Sequence, residues 1–583
     1  MEEPRGLRHF LSVRALGPSR QMARMQIVMI VLEALRMIPH YVRDTDPPDL
    51  EDIRTRKLAT IFSEKSTRTR ISFQEAANAL HWRVMTGITP SDSSMGKGEP
   101  LMNTVRMIAQ YKATHIVVRD EREGLGMFVA QCLEKTNGSL TWINPTASII
   151  IGGAGTRDHP TQVLLDVVTM VMRKLGFRRM DEETAAAIEN LLSGNERDLK
   201  DRIANILDNL KIAFVGDLLH SRVVHDWVHL GKWFDISFKL VAPKQLQLEK
   251  WCLTPNCSPV YHLSSIGRVD FIYTIRLQKE RLSDMMTPHD AAALVQSFKI
   301  TSAFLKGTRA EIMDAQPIDS RSPMIEVALW EDARVIMFMQ SAIGIPTRMA
   351  ILRLCEIGRR IKFPILKVPR FRLTEDSVTA QRTLRAQRRR LTKKNKGQNL
   401  YLTRVDNGMV VDHVRSGGLE PIEDMNVIAG IYEGCHEGKP RGPIFPGRQV
   451  PSPSMGTKEV LFAHGVYAPF QLLATYGLVE PDVTINMMRE GRGERGYQHL
   501  DLPLPRAVSG LFGCLNANCV TNFQLEDLED SRDTEVDSFF WVHGEKGHAG
   551  LECAFCEHQF SPEQLLGTLA AKATAVAKAR AES

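Results

Sequence analysis

The chain has 583 residues, 43% of them hydrophobic, and a formal net charge of +6. Such a length holds roughly three to five domains, and that apolar content excludes global disorder. The charge is too mild to imply nucleic acid by itself, and nine cysteines are too sparse for a secreted disulfide framework.

Residues 1–20 read as a loose basic tail. Over 27–38 the chain is strongly apolar, but Glu33 and Arg36 interrupt it, so an amphipathic helix is predicted and no membrane span. No small-residue cleavage site follows an apolar core. No signal peptide is therefore expected, and the cytoplasm is the expected compartment. From 21 to 172, strand-like runs at 58–62, 84–87 and 115–119 alternate with helical periodicity at 71–80 and 101–111. This alternation predicts a parallel sheet with covering helices. A second block of the same kind spans 173–340, with buried strands at 211–217 and 269–275 and a polar surface helical insertion at 178–210. A long helix over 339–361 then packs back on the first block, closing a segment at 341–365. The fold class is thus α/β, with two doubly wound parallel-sheet domains.

Composition changes after 365. Residues 366–397 carry Arg382, Arg385, Arg388, Arg389, Arg390, Lys393, Lys394 and Lys396. The run reads as a basic linker or solvated helix, with nucleic acid as the other reading. Short alternating strands at 401–405 and 409–414, with Gly-rich turns, predict a separate α+β domain over 398–507. A small β-rich domain follows over 508–575, and an alanine-rich end closes in a tail at 576–583. In the β-rich domain Cys514-x4-Cys519 and Cys553-x2-Cys556 have the spacing of a four-thiolate zinc site. With all four positions filled by protein, such a zinc is structural, one per chain. His543, His548 and His558 lie nearby and are given no ligand role.

The chemistry-bearing segment of the first block is Ser66-Thr67-Arg68-Thr69-Arg70, between a strand and a helix. Helix starts expose unpaired N–H groups that collect phosphate oxygens, and a guanidinium can fork onto the same oxygens. Alone, the pentapeptide also reads as a serine-capped helix with a basic first turn. Arg119 ends the strand at 115–119, and His159-Pro160-Thr161-Gln162 opens another helix with proline in its first turn. All three pieces lie where ligands bind in open α/β sheets, outside the carboxyl ends of the strands.

Together these motifs, with a Lys-Gly-Glu loop between them, resemble the transcarbamoylase family over roughly residues 20–350. The resemblance implies a carbamoyl phosphate-binding domain at 21–172, a second-substrate domain at 173–340, and a homotrimer or higher homo-oligomer with shared active sites. It implies that Ser66, Thr67, Arg68 and Thr69 hold the phosphate, and that Arg119, His159 and Gln162 hold the carbamoyl end. Lys97, accompanied by Ser93 or Ser94, would reach a neighbouring subunit's site. Arg68, Thr69, Lys97, Arg119 and His159 would be the catalytic set, with no cofactor for catalysis. Pro317 and Ile318 would shape the carbamoyl pocket, although the family's His-Pro-Leu-Pro-Arg segment appears here as Gln316-Pro317-Ile318-Asp319-Ser320. Glu64 and Arg281 match a pair that links the two domains.

Arg222, Arg276 and Gln278 follow buried strands of the second block and resemble the aspartate-binding set, since two arginines can each fork onto a carboxylate. The expected activity is therefore that of the aspartate carbamoyltransferases, in de novo pyrimidine biosynthesis, on carbamoyl phosphate and L-aspartate. An ornithine enzyme would carry Ser-Met-Gly in place of the Arg-x-Gln. Ser94-Met95-Gly96 does occur, but in the lysine loop of the first domain. A transcarbamoylase for another amine, a non-catalytic scaffold, and nucleic-acid binding through the arginine run are the other readings; no membrane partner is expected. Residues 398–575 resemble the regulatory chain of the same enzymes, around Asn407 to His413, Met455 to Lys458 and the zinc cysteines. That implies nucleotide effectors at Asp412, His413 and Lys458. Phe462 and His499 stand where two further lysines are expected, so the nucleotide response would be weak or altered.

Overall fold

The computed structural model describes residues 6–17, 19–47, 55–64, 66–85, 88–89, 97, 99–136, 147–156, 158–278, 287–318, 322–364, 366, 378–383, 408–415, 444–452, 456–464, 478, 484–491, 494–501, 504–509, 512–522, 538–545, 548–562, 564–565 and 568. Two compact units divide the chain, the first covering 1–365 and the second beginning at Leu366.

The first unit carries two parallel sheets. In chain order its leading elements are α1 (Arg20–Arg43), β1 (Lys57–Phe62), α2 (Thr67–Ala79), β2 (Arg83–Val84), α3 (Leu101–Gln110), β3 (His115–Asp120), α4 (Leu125–Thr136), β4 (Ser148–Ala154) and α5 (Pro160–Leu175). The strands order as β2-β1-β3-β4, all parallel. Every residue of β3 and β4 is buried, as expected of a sheet covered on both faces. The second sheet is built from β5 (Lys211–Gly216), β6 (Ser237–Val241), β7 (Cys257–Val260), β8 (Phe271–Ile275) and β9 (Glu311–Asp314), ordered β7-β6-β5-β8-β9 and again parallel. Around it lie α6 (Glu182–Leu192), α7 (Glu196–Asp208), α8 (Arg222–Leu230), α9 (Pro288–Phe298) and α10 (Ser302–Lys306). Then α11 (Met337–Gly358) returns to pack on α1, α2 and α5.

Helix α5 joins the two sheets. Pro160 stands at its start, where a missing N–H costs nothing, and Gly176 closes it in the left-handed conformation at φ +100°. Helix α1 is long and apolar enough by composition to cross a membrane, with a mean hydropathy of 1.3, yet 67% of that stretch is buried inside the protein. Its one deeply buried charge, Glu33, accepts from Arg353 Nε of α11 at 2.7 Å and from Arg36 at 3.2 Å. The interruption in the apolar pattern is therefore a tie between core helices.

Three boundaries differ from the sequence reading. Residues 1–20 are not a tail throughout: Leu7, Phe10, Leu11 and Val13 are buried, and Phe10 exchanges backbone hydrogen bonds with Ile149 and Ile151 beside β4. Basic residues there masked an apolar i, i+3 pattern. The 178–210 insertion is not merely on the surface. Its helices α6 and α7 are capped by Asp181 and Asn195, and they dock on α1 through Arg43 with Glu182 and Glu189, Arg36 with Glu196, and Arg24 with Asp208. The 366–397 segment is not only a linker, because it contains the strand β10 (Val378–Thr383).

The second unit holds an antiparallel sheet of β10, β11 (Gly408–Arg415), β12 (Ile444–Ser452), β13 (Gly456–His464), β14 (Thr484–Gly491) and β15 (Glu494–Asp501), ordered β10-β15-β14-β11-β13-β12. The strand expected at 401–405 lies outside the described residues. A smaller antiparallel sheet follows, made of β16 (Ala507–Ser509), β17 (Phe539–His543), β18 (Gly550–Cys553) and β19 (Gln559–Phe560).

Candidate active site

The site lies at the carboxyl ends of β1, β3 and β4 and at the first turns of α2 and α5. Ser66 precedes α2 in extended conformation, and its hydroxyl makes no capping hydrogen bond. The side chain best suited to satisfy the helix start is thus uncommitted, and the first N–H groups of α2 have no partner within the helix. Thr69, one turn on, is buried and lies close to Gly152: a Cβ there would meet its Cγ2 at 3.4 Å. Thr67 and Arg68 are exposed, and among the described residues Arg68 forms no ion pair.

Arg119 closes β3. Its Nη1 donates to the Gly152 carbonyl at 3.0 Å and to His159 Nε2 at 3.2 Å, and its Nη2 stands 3.2 Å from Glu64 Oε2. Burial, reinforced by the Arg222 cation, pushes the guanidinium down to about 10, still charged at neutral pH. Glycine is required at 153, where φ is +140° and a Cβ would come within 2.8 Å of Arg119 Nη1 and 3.1 Å of Arg222 Nη1.

His159 caps α5, and its backbone N–H donates to Asp226 Oδ2 of α8 at 2.7 Å. Burial and the adjacent Arg119 hold the imidazole well below the ordinary histidine range, so it is neutral. A guanidinium only donates, so Nε2 must accept from Arg119 and the proton resides on Nδ1. That Nδ1 is buried without a hydrogen-bond partner among the described residues. It is a donor held in reserve beside a cation.

Arg222 opens α8 in the second domain. Both its Nη atoms fork onto Glu64, at 3.0 and 2.8 Å. Glu64 is paired with Arg222 and Arg119 (Arg281, its expected partner, lies outside the described residues), and Arg222 is engaged by a carboxylate of the protein itself. Burial alone would raise the Glu64 pKa, but the two guanidinia outweigh it and hold it below the usual carboxylate range.

Arg276 and Gln278 follow β8. Gln278 is turned inward, its Nε2 donating to the His220 carbonyl at 2.7 Å and its N–H to Asp217 Oδ2 at 3.2 Å. In this structure it braces the 217–222 loop ahead of Arg222. Asp314 ends β9; burial pushes its pKa up, while Thr274, the Gln316 N–H and the charges of Arg68 and Arg276 oppose the shift. Arg68 of the first domain and Arg276 of the second therefore act on the same buried carboxyl. Beyond it Pro317 is exposed and Ile318 packs on the core. Lys97 is exposed, whereas Ser93 and Ser94 lie outside the described residues.

Sequence reasoning missed the floor of the site. Asp166, one turn along α5 from Gln162, is fully buried and accepts from four side chains. Gln162 Nε2 and Gln340 Nε2 reach Oδ1 at 3.0 and 2.6 Å, and the Tyr273 hydroxyl and Trp227 Nε1 reach Oδ2 at 2.9 and 3.5 Å. The available signal was an acid inside the apolar run 163–172, spaced i+4 from a site residue.

In the second unit Cys514, Cys519, Cys553 and Cys556 are buried, and their ligand atoms all lie within 4.8 Å of one another. Four thiolates at ~2.3 Å from one zinc would stand about 3.8 Å apart. The Cys514–Cys556 and Cys519–Cys553 sulfur pairs, at 3.5 and 3.9 Å, fit that geometry. His558 Nδ1 is engaged by the Asn516 amide at 3.1 Å. Asp412 and His413 lie on β11 and Lys458 on the neighbouring β13, opposite Arg415.

Residues 8–172 match the family model described as the aspartate/ornithine carbamoyltransferase carbamoyl-P binding domain, and residues 208–355 match that of its Asp/Orn binding domain. The aspartate carbamoyltransferase catalytic subunit of Methanocaldococcus jannaschii is 31% identical over 355 residues, 60% of this chain and 97% of that one. The chain belongs to the aspartate/ornithine carbamoyltransferase family. The corresponding subunit of Methanococcus maripaludis is 30% identical over 358 residues, covering 60% of this chain and 98% of its own. Among solved structures, the catalytic subunit of M. jannaschii aspartate transcarbamoylase has 28% identity and a TM-score of 0.47, covering 61% of this chain and 100% of that one. An aspartate transcarbamoylase from Trypanosoma cruzi in complex with carbamoyl phosphate has 24% identity and a TM-score of 0.45, covering 60% and 95%.

As a carbamoyltransferase, this protein keeps two cations close together around one carboxylate, and that carboxylate should matter to stability. Glu64→Gln is expected to cost about 1–3 kcal/mol near neutral pH, because it leaves two largely buried guanidinia without their counter-charge. Glu64 is depressed in the folded state, so its contribution is present above the unfolded carboxylate range and lost as pH falls through the lower folded value. Urea unfolding of both proteins across acid pH should show the difference shrinking toward zero; a constant difference contradicts the assignment.

Proposed function

We propose that the protein is an aspartate carbamoyltransferase. It transfers the carbamoyl group of carbamoyl phosphate to the amine of L-aspartate, giving N-carbamoyl-L-aspartate and phosphate, in de novo pyrimidine biosynthesis. The observation that carries this reading is the convergence of cations from two sheets. Arg119 and Arg222 share Glu64, while Arg68 and Arg276 both act on Asp314. A mixed anhydride of phosphate beside a dicarboxylate is a ligand of matching charge.

The chemistry follows from the groups present. The uncharged amine attacks the carbamoyl carbon, a C–N bond forms, and the C–O bond to phosphate breaks. The departing phosphate takes the amine's proton. Charge developing on the carbamoyl oxygen is met by Arg119, by the Nδ1–H of neutral His159 and by the Thr69 hydroxyl. Ser66, Thr67 and the N–H groups opening α2 hold the phosphate, with Arg68 offsetting its charge and Lys97 of an adjoining subunit completing the site. A homotrimer or larger assembly follows from that sharing. Gln162, Pro317 and Ile318 border the carbamoyl group. Arg222 exchanges Glu64 for one aspartate carboxylate, and Arg276, with Gln278 behind it, takes the other. Orientation and preorganised charge supply the rate, and catalysis uses no cofactor. An ornithine-type reading is disfavoured because a cationic amine side chain would face Arg276. The cytoplasm is the proposed compartment.

The C-terminal half is proposed to be a regulatory region fused to the catalytic chain. Its cysteine cluster suits one structural zinc per chain, held by Cys514, Cys519, Cys553 and Cys556. Asp412, His413 and Lys458 are the proposed effector contacts, and with Phe462 and His499 in place of cations a triphosphate is held weakly.

Three outcomes are expected. Carbamoyl phosphate should be consumed with aspartate and not with ornithine, and Arg276→Ala should raise the aspartate KM at least tenfold while leaving binding of a phosphonate analogue nearly unchanged; turnover with ornithine would overturn the substrate assignment. Elemental analysis should find one zinc per chain, and its removal by chelator with a thiol reagent should unfold residues 508–575 first by hydrogen exchange. Titration of CTP or ATP against initial velocity should give little change, and strong sigmoidal inhibition would contradict the weak-effector reading.

A further inference from the structure

We propose that Asp166 is a positioning residue: it fixes which end of the Gln162 amide faces the carbamoyl group, and so selects an amine-bearing ligand over a methyl-bearing one. The inference rests on reading the cleft as a carbamoyl phosphate site.

A carboxylate accepts hydrogen bonds and cannot donate. While Asp166 is ionised it requires the Nε2 end of Gln162, which donates to Oδ1 at 3.0 Å. The other end, Oε1, is thereby turned away from Asp166. A carbonyl oxygen beside the carbamoyl group accepts from its –NH2 and has nothing to accept from a methyl. The remaining partners of Asp166 reinforce this polarity. Trp227 Nε1 can only donate. Gln340 is pinned at both ends, its Nε2 on Asp166 Oδ1 at 2.6 Å and its Oε1 accepting the Asp314 N–H at 3.3 Å. Tyr273 donates to Oδ2 at 2.9 Å and itself accepts from Gln340 at 3.1 Å. Every group around the carboxyl therefore offers a hydrogen. A proton on Asp166, or an amide in its place, needs an acceptor; Trp227 cannot supply one and Gln340 is pinned at both ends, so the Tyr273 hydroxyl serves a hydrogen on Oδ2 and Gln162, by turning, serves one on Oδ1. Its –NH2 would then face the carbamoyl –NH2, donor against donor.

The native protein reaches both states. Burial raises Asp166 to about 7, against the opposing hydrogen bonds of Gln340, Tyr273, Gln162 and Trp227. Of the charged or titratable groups on the surrounding elements, Tyr273 of β8 and the buried Arg348 of α11 interact with it; His159 at the start of α5, Arg222, His225, Asp226 and His229 of α8, Glu311 and Asp314 of β9, and Arg353, Cys355 and Glu356 of α11 are the others. A raised carboxylate pKa means the proton is bound below about 7, so preference for the amine-bearing ligand is lost as pH falls through that value.

Titration calorimetry of carbamoyl phosphate and of acetyl phosphate provides the test. Both are acyl phosphates, so their phosphate and carbonyl contacts cancel in the ratio of affinities. In the wild-type protein the carbamoyl-over-acetyl ratio is expected to fall about tenfold between about pH 8 and about pH 6, the loss expected when one buried hydrogen bond is replaced by an unpaired donor. In Asp166→Asn the ratio should be low and flat, a pattern that a general loss of stability does not produce. The wild-type series alone decides the matter if the variant fails to fold. A constant wild-type ratio, or a folded variant with the wild-type ratio and slope, overturns this inference alone; a wild-type protein that binds neither ligand overturns the functional reading and this inference with it.

Discussion

The constraint on which the rest of the site depends is the mutual repulsion of its cations. A cleft for a phosphoryl donor beside a dicarboxylate needs several guanidinia at short range, and in a partly buried setting they cannot share space unless something neutralises them. Glu64 does so here, reaching Arg119 at 3.2 Å and Arg222 at 2.8 Å. Arg119 stays charged although almost entirely buried, and Gly153 leaves the room that both guanidinia occupy. Glu64 sits just after β1 while Arg222 opens α8 of the other sheet. One carboxylate thus ties the two halves of the cleft, and on the proposed function a substrate carboxylate arriving at Arg222 would replace a bond already made. Binding would then be an exchange of partners for an arginine held in place beforehand, which limits the ordering cost of association.

Much of this was legible in the sequence because strand-to-helix transitions write themselves in local patterns. Ser66 to Arg70, Arg119 and His159 to Gln162 each follow an apolar run, and the parallel sheets bring such ends together. What was not legible is which long side chain answers which charge. Reading Arg222 and Gln278 as substrate contacts does not reveal that Arg222 forks onto Glu64 or that Gln278 braces the 217–222 loop. Spacing along a chain does not determine pairing across 158 residues. Asp166 was hidden for a different reason. A single acid in an apolar run looks like a helix-surface residue until the donors that surround it, from α8, β8 and α11, are known. The N-terminal segment was misread because its basic residues outweighed the apolar spacing of Leu7, Phe10 and Val13, which are buried, with Phe10 hydrogen-bonded along β4.

Polarity in the first turn of α5 is set by its two neighbours. Arg119 can only donate, so it takes the lone pair of His159 Nε2 and leaves a hydrogen on Nδ1. Asp166, while ionised, can only accept, so it takes the amine of Gln162 and leaves the carbonyl oxygen free. Histidine and glutamine are both ambiguous groups, each able to present a donor or an acceptor. Here a cation on one side and a carboxylate on the other remove both ambiguities in opposite senses. The result is one donor and one acceptor three residues apart on a rigid helix start, complementary to the oxygen and the amine of a carbamoyl group. Asp166 thus acts through a neutral neighbour and Arg119 acts both directly and through one, each deciding which end of that neighbour is presented, and the burial of both is tolerated because both are hydrogen-bonded.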